Sequence, residues 1–197
     1  MIWTVDRAAG IAALLLASLS ICAGLLQARR GGRLAAADRF PLHEALGIGV
    51  VVAIAIHTAA FAVDSYFSAG VAGALIPFAS PYRPIALALG QIAAYGLVGL
   101  SLTFYLRKRW GTQRWRKAHR IIPVFWGLAV LHGFTAGTDA SAPWFIAAAA
   151  APALAALVFL ARAADPGPSA PPPARSGPAR APAPPTRTAA PASLWDR

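Results

Sequence analysis

One cysteine, Cys22, and one methionine, Met1, are all the sulfur this 197-residue chain carries. That scarcity excludes an intrachain disulfide, an iron–sulfur cluster held by this chain alone, and thioether attachment of a cofactor through C-x-x-C-H. Acidic residues are also few, seven Asp and Glu against eighteen Lys and Arg, for a formal net charge of +11. Charged residues nevertheless make up only 13% of the chain, hydrophobic residues make up 57%, and the mean hydropathy is +0.56. Such a chain is too apolar for an ordinary soluble domain and reads as a polytopic membrane protein. The positive charge comes with no recognisable nucleic-acid-binding module. Its carriers border apolar segments or sit in a Pro/Ala-rich tail, so no nucleic-acid partner is expected, and topology with contact to membrane lipid accounts for them.

A bilayer core about 30 Å thick needs about 20 mostly apolar residues per helical span, because every backbone polar group must be paired inside the segment. Five segments are expected to meet that demand: 8–27, 42–63, 85–106, 121–135 and 144–161. The fold class is therefore all-α, a membrane helical bundle of about five transmembrane helices over residues 1–162. Residues 163–197 are dominated by Pro, Ala and Arg, a composition that cannot bury a core and predicts a disordered, partly polyproline tail. The fourth segment is short unless His119 belongs to it. In the first, "LSIC" at Leu19–Cys22 resembles a lipoprotein cleavage site, but Ile21 is too large for the position before a lipidated cysteine, and Arg29, Arg30 and Arg33 read as a stop-transfer signal. Between the second and third segments, residues 64–84 carry Pro77, Pro81 and Pro84 and predict a short interfacial helix followed by a turn.

Basic residues set the orientation. Arg29, Arg30, Arg33 and Arg39 follow the first segment, Arg107, Lys108, Arg109, Arg114, Arg116, Lys117 and Arg120 follow the third, and Arg162, Arg175, Arg180, Arg187 and Arg197 follow the fifth. Only Arg7 and Arg83 fall on the other side, so the amino terminus is expected outside and the tail in the cytoplasm of a cell-membrane protein. Asp64, Asp139 and Glu44 read as interfacial residues.

The four histidines, His43, His57, His119 and His132, fall in or beside only the second and fourth segments. Topology makes these parallel, which sets His43 and His119 at an inner level and His57 and His132 at an outer one. The intervals of 14 and 13 residues correspond to about 21 and 20 Å of helix rise. At about 100° per residue, His43 and His57 share a face within about 40°, whereas His119 and His132 lie about 140° apart on an ideal helix. Pro123, four residues after His119, predicts the remedy: a kink, or a break that puts His119 on a preceding turn.

Ionisable side chains within a membrane are costly and mark function by default. Two levels with one histidine from each helix suit two stacked haems. With Met1 and Cys22 as the only sulfur donors, bis-histidine ligation is the natural choice. Gly47, Gly49, Gly90, Gly96 and Gly99 remove bulk where a macrocycle or a helix could approach, and Gly127 leaves room near Pro123. Arg39, Arg116, Lys117 and Arg120 are candidate inner partners for haem propionates, and Arg83 an outer one. Three other readings stand beside this one: histidines that only hydrogen-bond across a non-catalytic membrane scaffold, a mono-haem protein, and a metal or proton pathway.

The stretches "LHEALGIGVVVAIAIH" and "WRKAHRIIPVFWGLAVLH", with their unequal histidine intervals, resemble the ferric reductase-like transmembrane domain family over residues 42–161. The phrases "PFASPYRP" and "HGFTAGTD" are similar to its short bacterial members. The resemblance implies a b-type cytochrome with two haem b groups, His43 and His119 as axial ligands to the inner iron and His57 and His132 to the outer. It implies an oxidoreductase component carrying electrons between the membrane faces. No Gly-rich dinucleotide fingerprint follows the fifth segment, so a separate donor, a flavoprotein or a quinol, is expected, as is a separate acceptor.

Overall fold

A computed structural model of the chain describes residues 1–29, 40–67 and 69–164. Arg30, Arg33 and Arg39, and the tail from 165 onward, lie outside the described residues. Every element among the described residues is a helix: α1 (Ile2–Arg29), α2 (Phe40–Val63), α3 (Gly70–Leu75), α4 (Pro84–Trp110), α5 (Thr112–His119), α6 (Ile122–Ala136) and α7 (Pro143–Ala164). The helical unit covers Met1–Ala164.

Three of these helices are long and apolar enough to cross a membrane, at Ile2–Leu25, Pro41–Val63 and Pro84–Trp110, and Pro143–Val158 forms a shorter apolar helix. The fourth expected span is shorter still. With 15 residues α6 rises about 22 Å, less than a full bilayer core. Its shortness has a local cause. Pro123 sits in the first turn of α6, where its missing N–H costs nothing but where it offers no bond to the carbonyl of His119. The chain closes α5 at His119, turns through Arg120 and Ile121, and starts again. The proline therefore produces a break rather than a bend.

Large apolar side chains such as Leu15, Leu19, Leu42, Ile48 and Val52 are exposed. Small residues, among them Ala9, Ala17, Ala53, Ala60, Ala88 and Ala93, fill much of the interior instead. That inversion suits helices whose outer surface meets lipid and whose close approach depends on small side chains. α2 packs chiefly on α1, and α6 chiefly on α4, with α7 against α1. The two histidine-bearing helices thus face each other without packing closely.

The segment before α4 folds over one end of the unit. The Gln91 amide donates to the Gly73 carbonyl at 2.8 Å and the Tyr95 hydroxyl donates to the Leu75 carbonyl, fastening the short α3 to α4. At the same end Arg7 of α1 grips the Asp139 carboxylate with Nε at 2.9 Å and its terminal nitrogen, closing α1 onto the turn between α6 and α7. Asp64 is buried and accepts from the Tyr66 backbone N–H at 2.7 Å.

Candidate functional site

The break between α5 and α6 settles the phase mismatch in the fourth segment. On the continuous α2, His43 and His57 share a face, and the structure sets His119 opposite His43 with ring centres 6.0 Å apart and planes at 87°. His57 and His132 stand 6.3 Å apart with planes at 67°. Two imidazoles bound through nitrogen on opposite sides of one metal ion place their ring centres about 6.3 Å apart, given metal–nitrogen bonds of about 2.0 Å. Both pairs have that separation. Among the described residues no three His, Cys, Asp or Glu side chains converge as a bare metal ion would require. Two protein donors per level fit a metal whose other ligands come from a macrocycle.

The second nitrogen of each ring decides how it is held. His43 Nδ1 lies 3.1 Å from both the backbone oxygen and the Oγ of Ser20. His57 Nδ1 lies 2.9 Å from the Asp6 backbone oxygen, and His132 Nδ1 lies 2.7 Å from that of Ala86. A carbonyl can only accept, so Nδ1 carries the proton in these three rings and Nε2 is left as the nitrogen available to a metal. His119 differs. Its Nδ1 is buried and has no hydrogen-bond partner, and the ring lies against Trp115 at 5.1 Å between centres. Burial, with the neighbouring His43 adding to it, lowers the pKa of His119 from its ordinary value and favours the neutral imidazole that a metal needs.

A glycine follows each of the three carbonyls one turn later, and at two of them the ring needs the room it leaves. A Cβ on Gly90, four residues after Ala86, would stand 2.7 Å from His132 Nδ1. One on Gly10, four residues after Asp6, would stand 3.0 Å from His57 Cε1. At Gly24, four after Ser20, the distance to His43 Cε1 would be an ordinary 3.5 Å. In a helix the carbonyl of residue i points along the axis toward residue i+4, so a side chain there crowds whatever approaches that oxygen. Other glycines named from sequence divide by role. Gly49 admits Leu16 and Gly96 admits Phe125, which are packing contacts, while a Cβ at Gly47, Gly99 or Gly127 would meet nothing within 4 Å. Gly47 lies one turn from His43 on the same face of α2.

A cavity of about 820 Å³ contains His57 and His132 and is lined also by Asp6, Arg7, Gly10 and Gly90. That volume lies within the range of about 300–1,000 Å³ typical of cofactor pockets. Arg83, expected as the outer cation, lines a separate pocket of about 370 Å³ and donates to the Thr135 carbonyl at 2.7 Å. Arg7 is the cation that borders the histidine cavity. Arg116, Lys117 and Arg120 are exposed around His119, and Arg39 is outside the described residues.

A family model described as ferric reductase like transmembrane component matches residues 9–130. The chain belongs to that family. A ferric reductase-like chain is a membrane electron-transfer component that works with a separate redox partner. No curated protein and no solved structure matches it. The match begins within α1, well before the expected start at 42, and stops two residues short of His132. The matched part of α1 includes Ser20, whose carbonyl holds His43, while Asp6, which holds His57, lies just ahead of the match. The role of α1 has a trace in the sequence: Asp6 and Gly10 stand 14 residues before Ser20 and Gly24, the interval between His43 and His57.

Proposed function

We propose that this ferric reductase-like protein is a b-type cytochrome that carries electrons across the membrane through two bis-histidine haems. His43 and His119 are the axial ligands at the cytoplasmic level, and His57 and His132 those at the outer level. The observation that carries the reading is the pairing itself, with ring centres at 6.0 and 6.3 Å and Nδ1 of three rings engaged on backbone carbonyls. Helix-packing histidines would have no reason to stand in two such pairs, each pair at the separation of a shared iron.

Bound haem would supply a one-electron ferric/ferrous couple at each level. The chain's own residues do the rest. Asp6, Ser20 and Ala86 fix three imidazole tautomers and ring directions through their carbonyls. Trp115 packs on the fourth ring. Val71, Ala74 and Leu75 of α3 line the outer cavity. The basic residues between α4 and α6 and in the tail hold their ends in the cytoplasm, where a flavoprotein or another reduced carrier supplies electrons, and the acceptor lies outside.

Haem-sufficient expression followed by a reduced-minus-oxidised spectrum of the membranes tests this. A low-spin b-type spectrum is expected, and a folded, colourless protein overturns the reading in favour of a scaffold.

A further inference from the structure

The two α1 units that hold His57 and His43 are built alike but differ in charge. Each offers a backbone carbonyl and a side-chain oxygen to an Nδ1, with a glycine one turn later. At the inner level the side chain is the neutral hydroxyl of Ser20, 3.1 Å from His43 Nδ1. At the outer level it is the carboxylate of Asp6, whose Oδ1 lies 2.9 Å from His57 Nδ1. That oxygen is buried and has no hydrogen bond of its own, the Nδ1–H being engaged by the Asp6 backbone oxygen. The nearby cation, Arg7, is engaged by Asp139. A largely buried carboxylate near a membrane face is expensive, and this one stands beside an imidazole rather than in an ion pair with arginine.

Resting on the two-haem reading above, we propose that Asp6 is a positioning residue that makes the outer haem the more oxidised of the two at a given redox poise. A negative charge and an acceptor behind Nδ1 increase the electron donation of the imidazole and favour the ferric over the ferrous iron it binds. At the inner level Ser20 gives His43 a hydrogen bond without the charge, and His119 has neither. The difference in charge comes from one side chain in each of two otherwise matching α1 units, and the unpartnered His119 against the bonded His132 adds to it in the same direction.

Potentiometric titration of the full-length protein, followed optically, tests this, with the outer couple assigned as the component missing in His132→Leu. In the unsubstituted protein the outer couple should titrate at the lower potential. Asp6→Asn should raise the outer couple, lowering its ferric-to-ferrous ratio at fixed poise on the order of tenfold, and leave the inner couple in place. Ser20→Asp should shift the inner couple the other way. An outer couple unmoved by Asp6→Asn, or one that moves together with the inner, overturns the proposal. Should Asp6→Asn lose the outer haem, Ser20→Asp decides: a lowered inner couple supports the proposal, and an unmoved or missing one overturns it. Absence of any b-type spectrum from the unsubstituted protein is the separate failure of the two-haem reading.

Discussion

An imidazole has two nitrogens, and a ligand histidine needs a defined use for each. In His43, His57 and His132 one nitrogen is engaged by a helix carbonyl, which leaves the other available to the proposed iron. His57→Leu or His132→Leu should therefore remove about half of the bound haem while the inner spectrum persists, measured as haem per chain; retention of the full complement in both variants would refute the pairing. Gly90→Val should act on the same haem without touching a ligand, because a Cβ there already falls 2.7 Å from His132 Nδ1. Its expected outcome is loss of the outer haem with the inner retained. Gly96→Ala is the packing control: its Cβ would clash with the Phe125 ring, so stability should fall by about 1–3 kcal/mol in a thermal melt without selective loss of either haem. The histidines are legible in the sequence because the chain has only four of them and their side chains carry the chemistry. Their carbonyl partners are not, since every residue has a carbonyl. Only the glycines one turn later mark Asp6, Ser20 and Ala86 as acceptors.

At the scale of the helix, the thirteen-residue interval from His119 to His132 makes sense only with the break at Arg120–Ile121. A continuous helix would carry the two rings about 140° apart. Pro123→Ala restores the donor that a continuous helix needs at this position, so it should weaken retention of the inner haem while sparing the outer, read as haem loss during detergent purification. The proline and its distance from His119 are visible in the sequence, and so are six of the seven helices described, the five apolar segments and the short α3. Whether a proline bends or ends a helix is decided by what the freed turn packs against. Here Trp115 stacks on His119, and Phe104 lies 5.7 Å from Trp115, so α5 has contacts of its own to hold it apart from α6. Such contacts join α4 to α5 across a turn and leave no periodic trace.

At the scale of the molecule, a bundle with alanine and glycine inside and large apolar side chains outside is stabilised by close helix approach and by lipid, not by a buried aliphatic core. Composition conveys that class directly. It does not convey the role of α1, whose apolar run reads as one more span yet contributes hydrogen-bond partners to half of the proposed ligands. The fold also places Arg7 rather than Arg83 beside the outer cavity, because the Arg83 guanidinium is held on the Thr135 carbonyl. On the proposed orientation, with the His57 end outside, an epitope placed at the amino terminus should be reached by an impermeant reagent on intact cells and one at the carboxyl terminus should not. The central claim, two haems held between α2 and the α5–α6 pair, is tested most directly by haem quantitation on the purified, full-length protein. About two haem b per chain with a low-spin spectrum is the expected result, and a ratio near one or zero contradicts it.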